Sequence, residues 1–111
     1  MNVYDQAHQL ATAIKESDEF KTYQAGRQQI RTNESIKEMI NDFQKRSMEL
    51  QIKQFSGEQP DPEDLANVQR LLGVITMDPL ASQYLEAEMR FSLMMKDVYE
   101  ILQEAADMGE L

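Results

Sequence analysis

Few side chains in this sequence could do acid–base, nucleophilic or metal chemistry, and their spacing suits none of it. His8 is the only histidine, and cysteine is absent from all 111 residues. A zinc site would need mostly carboxylates, and neither HExxH nor paired histidines at helical spacing occurs. The lack of cysteine also removes disulfides and Cys-ligated iron–sulfur clusters. Asp5 and Thr12 are the helical neighbours of His8, which reads as a solvated residue beside an acid. Glu86 and Glu88 stand two apart and point to different sides of a helix. Glu100 and Glu104 sit at i, i+4, but a di-iron bundle also needs Glu-x-x-His arms from two more helices. These carboxylates read as solvated faces, with Glu86 and Arg90 forming a weak i, i+4 pair. No glycine-rich phosphate loop and no GxSxG is present, and a lone histidine supports no triad. We therefore expect no catalytic residue, no metal, no cofactor and no enzyme activity.

The elements that would carry these residues are helices. Val3, Ala7, Leu10, Ala11 and Ile14 share one face of a first amphipathic helix that Asn2 can cap. Ser17 reads as the next N-cap, with Asp18 and Glu19 in the first turn. The helix after it, over about 18–31, aligns Phe20, Tyr23, Arg27 and Ile30, and Gly26 costs it roughly 1 kcal/mol against alanine. A third helix begins at Asn33 or at Ser35, which has the capping-box spacing to Glu38. Its stripe is Ile36, Met39, Ile40, Phe43 and Leu50, and it should stop near Gly57. GEQPDPED is the one clear loop. Asp61-Pro62 and Asp78-Pro79 each read as a cap followed by a first-turn proline. They open a fourth helix with Leu65, Val68, Leu71, Leu72 and Ile75, and a fifth running to about Asp107. Neither strand alternation nor a hairpin dipeptide occurs. The expected fold is a single all-α domain over residues 1–111, an elongated bundle of about five helices with a long C-terminal helix.

That last helix sets up a conflict of lengths. About 29 residues at ~1.5 Å each span roughly 43 Å. A compact chain of this size has a radius of gyration near 13 Å and a diameter of roughly 34 Å. Leu80, Tyr84, Ala87, Phe91, Met94, Val98, Ile101 and Ala105 step by four and three along one seam, which should face helices three and four. Leu85, Met95 and Leu102 widen it, whereas Met89 and Leu93 lie outside it. On helix three, Met48, Ile52 and Phe55 are displaced from the main stripe. A helix apolar around much of its circumference is buried on more than one side. Met89, Leu93, Met95, Met48, Ile52 and Phe55 are thus candidate interface residues, in a homo-oligomer (a dimer first) or with a different protein. Within the chain, helix one is the element that could cover Met89 and Leu93 instead.

The net charge of −9 is unevenly spread. Residues 54–111 are strongly acidic and should repel nucleic acid, whose binding depends on neutralising phosphates. Residues 21–53 carry a mild excess of bases. The alternative reading is therefore direct RNA contact by Arg27, Arg31, Lys37, Lys45, Arg46 and Lys53. The tyrosines and phenylalanines fall on core positions rather than between bases, unlike a stacking platform. The opening MNVYDQAHQL has neither a basic n-region nor an apolar h-region, so no secretory signal is expected. No apolar run reaches the ~18–20 residues of a membrane span. The expected location is the cytoplasm.

Several local strings resemble the YlbF/YmcA family of Gram-positive bacteria, in particular its YheA-like branch. They are Ser17-Asp18-Glu19-Phe20 with Tyr23, Asn33-Glu34-Ser35, Phe43-Gln44, the Gly57-Glu58 turn, and Glu86-Ala87-Glu88-Met89-Arg90 followed by Ser92 and Leu93. Together they cover nearly the whole chain. The resemblance implies an all-helical, often oligomeric fold and a non-enzymatic regulator. YlbF and YmcA act in a complex with YaaT that affects competence, sporulation, biofilm formation and RNA processing through ribonuclease Y. Some of those proteins hold iron–sulfur clusters through cysteines, a property this cysteine-free chain does not share by itself. The expected function is a helical interaction module that self-associates and binds an unknown cytoplasmic protein, in regulation of RNA processing or development.

Overall fold

The computed structural model describes residues 2–109, and five helices account for nearly all of them. They are α1 (Val3–Glu16), α2 (Asp18–Arg31), α3 (Glu34–Phe55), α4 (Pro62–Met77) and α5 (Pro79–Ala106). Each start is fixed by a side-chain oxygen that accepts an otherwise unpartnered first-turn N–H. The Asn2 carbonyl oxygen accepts from the Tyr4 amide at 2.8 Å, and the Ser17 hydroxyl from Phe20 at 3.2 Å. Asn33, not Ser35, caps α3, accepting from Ile36 at 3.2 Å. Asp61 accepts from Glu63 at 3.0 Å, and Asp78 from both Leu80 and Ala81 at 2.9 and 3.0 Å. Proline opens α4 and α5, where its missing N–H costs nothing. Gly57, with φ of 84°, ends α3. Around it the Glu58 amide donates to the Lys53 carbonyl at 2.9 Å and the Gly57 amide to Gln54 at 3.2 Å.

The core is small and lies at one end of the bundle. Ile30, Ile36, Ile40, Ile75, Ala81 and Tyr84 are buried together, with Tyr23, Met39, Phe43, Leu80 and Leu85 packed around them. Ile75 is fully enclosed. α3 and α4 form an antiparallel hairpin, and α5 packs chiefly along α2. This corrects the expectation that the α5 seam meets α3 and α4. The aromatics explain the choice of partner. The Tyr23 ring stacks on Phe91 at 5.1 Å between centroids and lies 5.8 Å from Tyr84, and Phe20 meets Phe91 at 5.7 Å. These contacts run antiparallel, with Gly26 beside Tyr84 and Phe20 beside Phe91.

The structure also decides between the two alternatives for α1. Its apolar stripe is regular, yet no residue of the helix is buried. Only Leu10 and Ile14 are half-buried, and α1 packs substantially on α2 alone. It does not cover Met89 or Leu93, which stay 72% and 58% exposed. The seam on α5 also runs out. Tyr84 and Ala87 are buried and Phe91, Met94 and Val98 half-buried, but every residue from Tyr99 to Ala106 is exposed.

The result is a slab of 52 × 39 × 16 Å with a radius of gyration of 17.9 Å. A compact chain of this length would have a radius of about 13 Å. The accessible surface is 8962 Å², against the roughly 6,300 Å² expected for a compact monomer of 12.9 kDa.

Candidate functional site

The most elaborate polar arrangement in the structure joins α3 to α5. The Gln44 amide group donates to both oxygens of the Glu88 carboxylate, at 3.0 and 2.9 Å. The Tyr84 hydroxyl donates to the same carboxylate at 3.0 Å. Glu88 is half-buried, so the expectation of a solvated carboxylate fails for it. A carboxylate losing water on one side is held there by charge-assisted donors. Tyr84 responds to the same surroundings. Burial, and then the adjacent Glu88 charge, push its pKa well above the ordinary value near 10. Glu88 thus accepts from side chains of both α3 and α5 and clasps the two helices. Glu86 and Arg90 make no ion pair, whereas Glu100 pairs with Lys96 at 4.0 Å.

Both helices joined by the clasp also expose apolar side chains. Met48 lies one turn beyond Gln44 on α3, and Met89 follows Glu88 on α5. Past this junction α3 continues to Ile52 and Phe55, which are 61% and 96% exposed, and α5 continues to Leu93. Met48, Ile52 and Phe55 are thus exposed on α3 and Met89 and Leu93 on α5, the two helices that the Gln44–Glu88 bond joins. Met95 differs from the other candidates in being half-buried. It lines a shallow open trough made by α5 alone, with Phe91, Lys96 and Tyr99. Gln44 and Glu88 belong to two of the strings that resemble YlbF/YmcA, but their meeting could not be read from spacing within one helix.

The six bases do not gather into one face. Arg27 and Arg31 are on α2, and both are exposed. On α3, Lys37 and Arg46 are separated by about two and a half turns and so point to opposite sides. Lys45 is exposed near the Lys37 side. Arg46 Nε pairs with Asp42 at 3.0 Å, and Lys53 with Asp64 of α4 at 3.5 Å. Two of the six charges are thereby matched by acids of the same surface. Among the described residues no cluster of three or more His, Asp or Glu could hold a metal ion. Among the described residues no helix is long and apolar enough to cross a membrane. His8 lies on exposed α1, where its carbonyl oxygen accepts from the Thr12 hydroxyl at 3.1 Å.

An elongated five-helix bundle with an exposed apolar shoulder defines a class of all-α protein. The family described as "Control of competence regulator ComK, YlbF/YmcA" matches residues 3–106. The chain belongs to this family. It is 42% identical over 105 residues to a UPF0342 protein of Symbiobacterium thermophilum, covering 95% of this chain and 94% of that one. It is 37% identical over 109 residues to a UPF0342 protein of Caldicellulosiruptor saccharolyticus, covering 98% and 91%. The fold is similar to that of a solved structure described as a protein of unknown function (DUF964) from Bacillus stearothermophilus. The TM-score is 0.78 at 19% identity, with 94% and 91% of the two chains covered. The match is to the family as a whole, and the YheA-like branch rests on the quoted strings.

Proposed function

We propose that the protein is a non-enzymatic helical interaction module that self-associates and binds a cytoplasmic protein partner. One observation carries this reading: the chain exposes roughly 2,700 Å² more surface than a compact monomer of its mass, including large apolar side chains. Monomeric proteins rarely leave wide apolar patches open to water, and such patches mark interaction surfaces. Phe55, Met48 and Ile52 on α3 and Met89 and Leu93 on α5 are the anchors, and Met95 extends them at the edge. A few buried anchors supply most of the energy of such contacts. Their methionines suit a surface that adapts to its partner. The family's description as a regulator of competence control supports a regulatory role, and the resemblance to YlbF and YmcA points to RNA processing or development.

The test is affinity purification of the tagged full chain from its native cell, followed by mass spectrometry. The wild type should retain one or a few specific proteins. Phe55→Glu with Leu93→Glu should lose them while keeping its helical circular dichroism, because both positions lie outside the core. A folded double variant that keeps the same partners would contradict the assignment.

A further inference from the structure

Two stretches of this chain form regular helices whose apolar stripes are at most half-buried. One is α1, whose stripe Val3, Ala7, Leu10 and Ile14 contains no buried residue. The other is the distal part of α5, where Met94 and Val98 are only half-buried and Ile101 and Ala105 are exposed along the same seam. Isolated helices of this length are marginal in water, and in proteins they owe their stability to a packed apolar face. The two stripes match. Each steps by four, three and four residues, so each presents the same length of seam at coiled-coil spacing.

α1 could meet this seam on its own α5 only by continuing the line of α2, which runs antiparallel beside α5 as far as Phe91. The chain departs from that line at Ser17. The Ser17 backbone is extended (ψ 149°), and its hydroxyl is tied on both sides, donating to the Ile14 carbonyl at 2.6 Å and accepting from the Phe20 amide. α1 is directed away as an arm and makes no substantial contact with its own α5.

We propose that the α1 arm of one copy packs along the distal half of α5 of a second copy, with the exchange reciprocal about a two-fold axis. The self-association in the functional reading above is the ground on which this rests. The area supports a second copy as occupant. If each chain lost about half of its excess of about 2,700 Å² in the pair, the total of about 2,700 Å² would fall in the range of obligate homodimers, from about 2,000 to more than 5,000 Å². Exchange of an identical element is a low-cost route to such a dimer. The shoulder with Met89 and Leu93 then stays open for a different protein.

The absence of native cysteine makes a clean cross-linking test possible. Full-length Gln6→Cys and a size-tagged Gln103→Cys are mixed and treated with a short flexible bismaleimide. The proposal expects a mixed covalent pair joining α1 of one chain to α5 of the other. In sedimentation equilibrium, Leu10→Glu and Ile101→Glu should each halve the mass of the wild-type dimer, whereas Leu93→Glu should retain it. Neither Leu10 nor Ile101 is in the core, and an unchanged near-ultraviolet tyrosine spectrum checks that the core is intact. Cross-linking confined to single chains of a Gln6→Cys/Gln103→Cys double variant would overturn the proposal. So would a dimer that survives Leu10→Glu and Ile101→Glu. If that dimer is lost with Leu93→Glu, self-association stands and only its surface is wrong. A wild-type monomer at all concentrations would remove both.

Discussion

Tyr84 is the residue on which three elements converge. It is buried among the core isoleucines, stacks near Tyr23, lies against Gly26 and donates to Glu88. Its raised pKa means that the folded state favours the neutral phenol. The linkage follows directly: this contribution is complete below the unfolded pKa near 10 and is lost as pH climbs above it. The wild type should therefore show a loss of stability beginning near pH 10 in denaturant titrations. Tyr84→Phe should be less stable at neutral pH by about 1–2 kcal/mol, through loss of a bond to a charged acceptor. The variant should also show a weaker alkaline decline. An unchanged alkaline slope would mean that Tyr84 is not the group responsible.

At the scale of the element, helix starts and stops were the most legible features of the sequence. Asn2, Ser17, Asp61 and Asp78 all cap as their chemistry predicts, and Gly57 stops α3 where a left-handed residue is needed. Such signals are local, so spacing along one chain segment contains them. Pairing between helices is not local. The seam on α5 is visible in the sequence, but its expected partners, α3 and α4, are not the main ones: Phe20 and Tyr23 of α2 meet Phe91 and Tyr84. The Gln44–Glu88 clasp was hidden for the same reason. An amphipathic stripe also does not say whether its partner lies in the same chain, and the sequence leaves open whether α1 covers Met89 and Leu93. Two glycines separate backbone requirement from packing. An alanine Cβ at Gly26 would meet Tyr84 at ordinary contact distance, 3.6 Å. Gly26→Ala should thus stabilise the protein by roughly 0.5–1 kcal/mol in thermal or urea unfolding. Gly57→Ala has open space but requires a positive φ, so it should destabilise by about 1 kcal/mol. Equal effects at the two positions would refute this division.

At the scale of the whole molecule, a chain only 16 Å through its thinnest dimension has little interior. The core occupies the junction of α2, α3, α4 and the start of α5, and the remaining length of α1 and α5 extends beyond it. The shape follows from the 28 residues of α5, which at ~1.5 Å each reach roughly 42 Å, longer than a compact domain of this size is wide. Apolar side chains along such extensions gain stability in water when another surface covers them, and the proposed association and partner binding both draw on this geometry. The acidic C-terminal half and the divided bases favour the proposed protein cover over nucleic acid phosphates. The most direct measurement is the mass of the purified full chain by sedimentation equilibrium over a wide concentration range. The account predicts twice the 12.9 kDa of one chain at all but the lowest concentrations. A persistent 12.9 kDa species at high concentration, with Met89, Leu93 and the α1 stripe protected from solvent in hydrogen exchange, would contradict it.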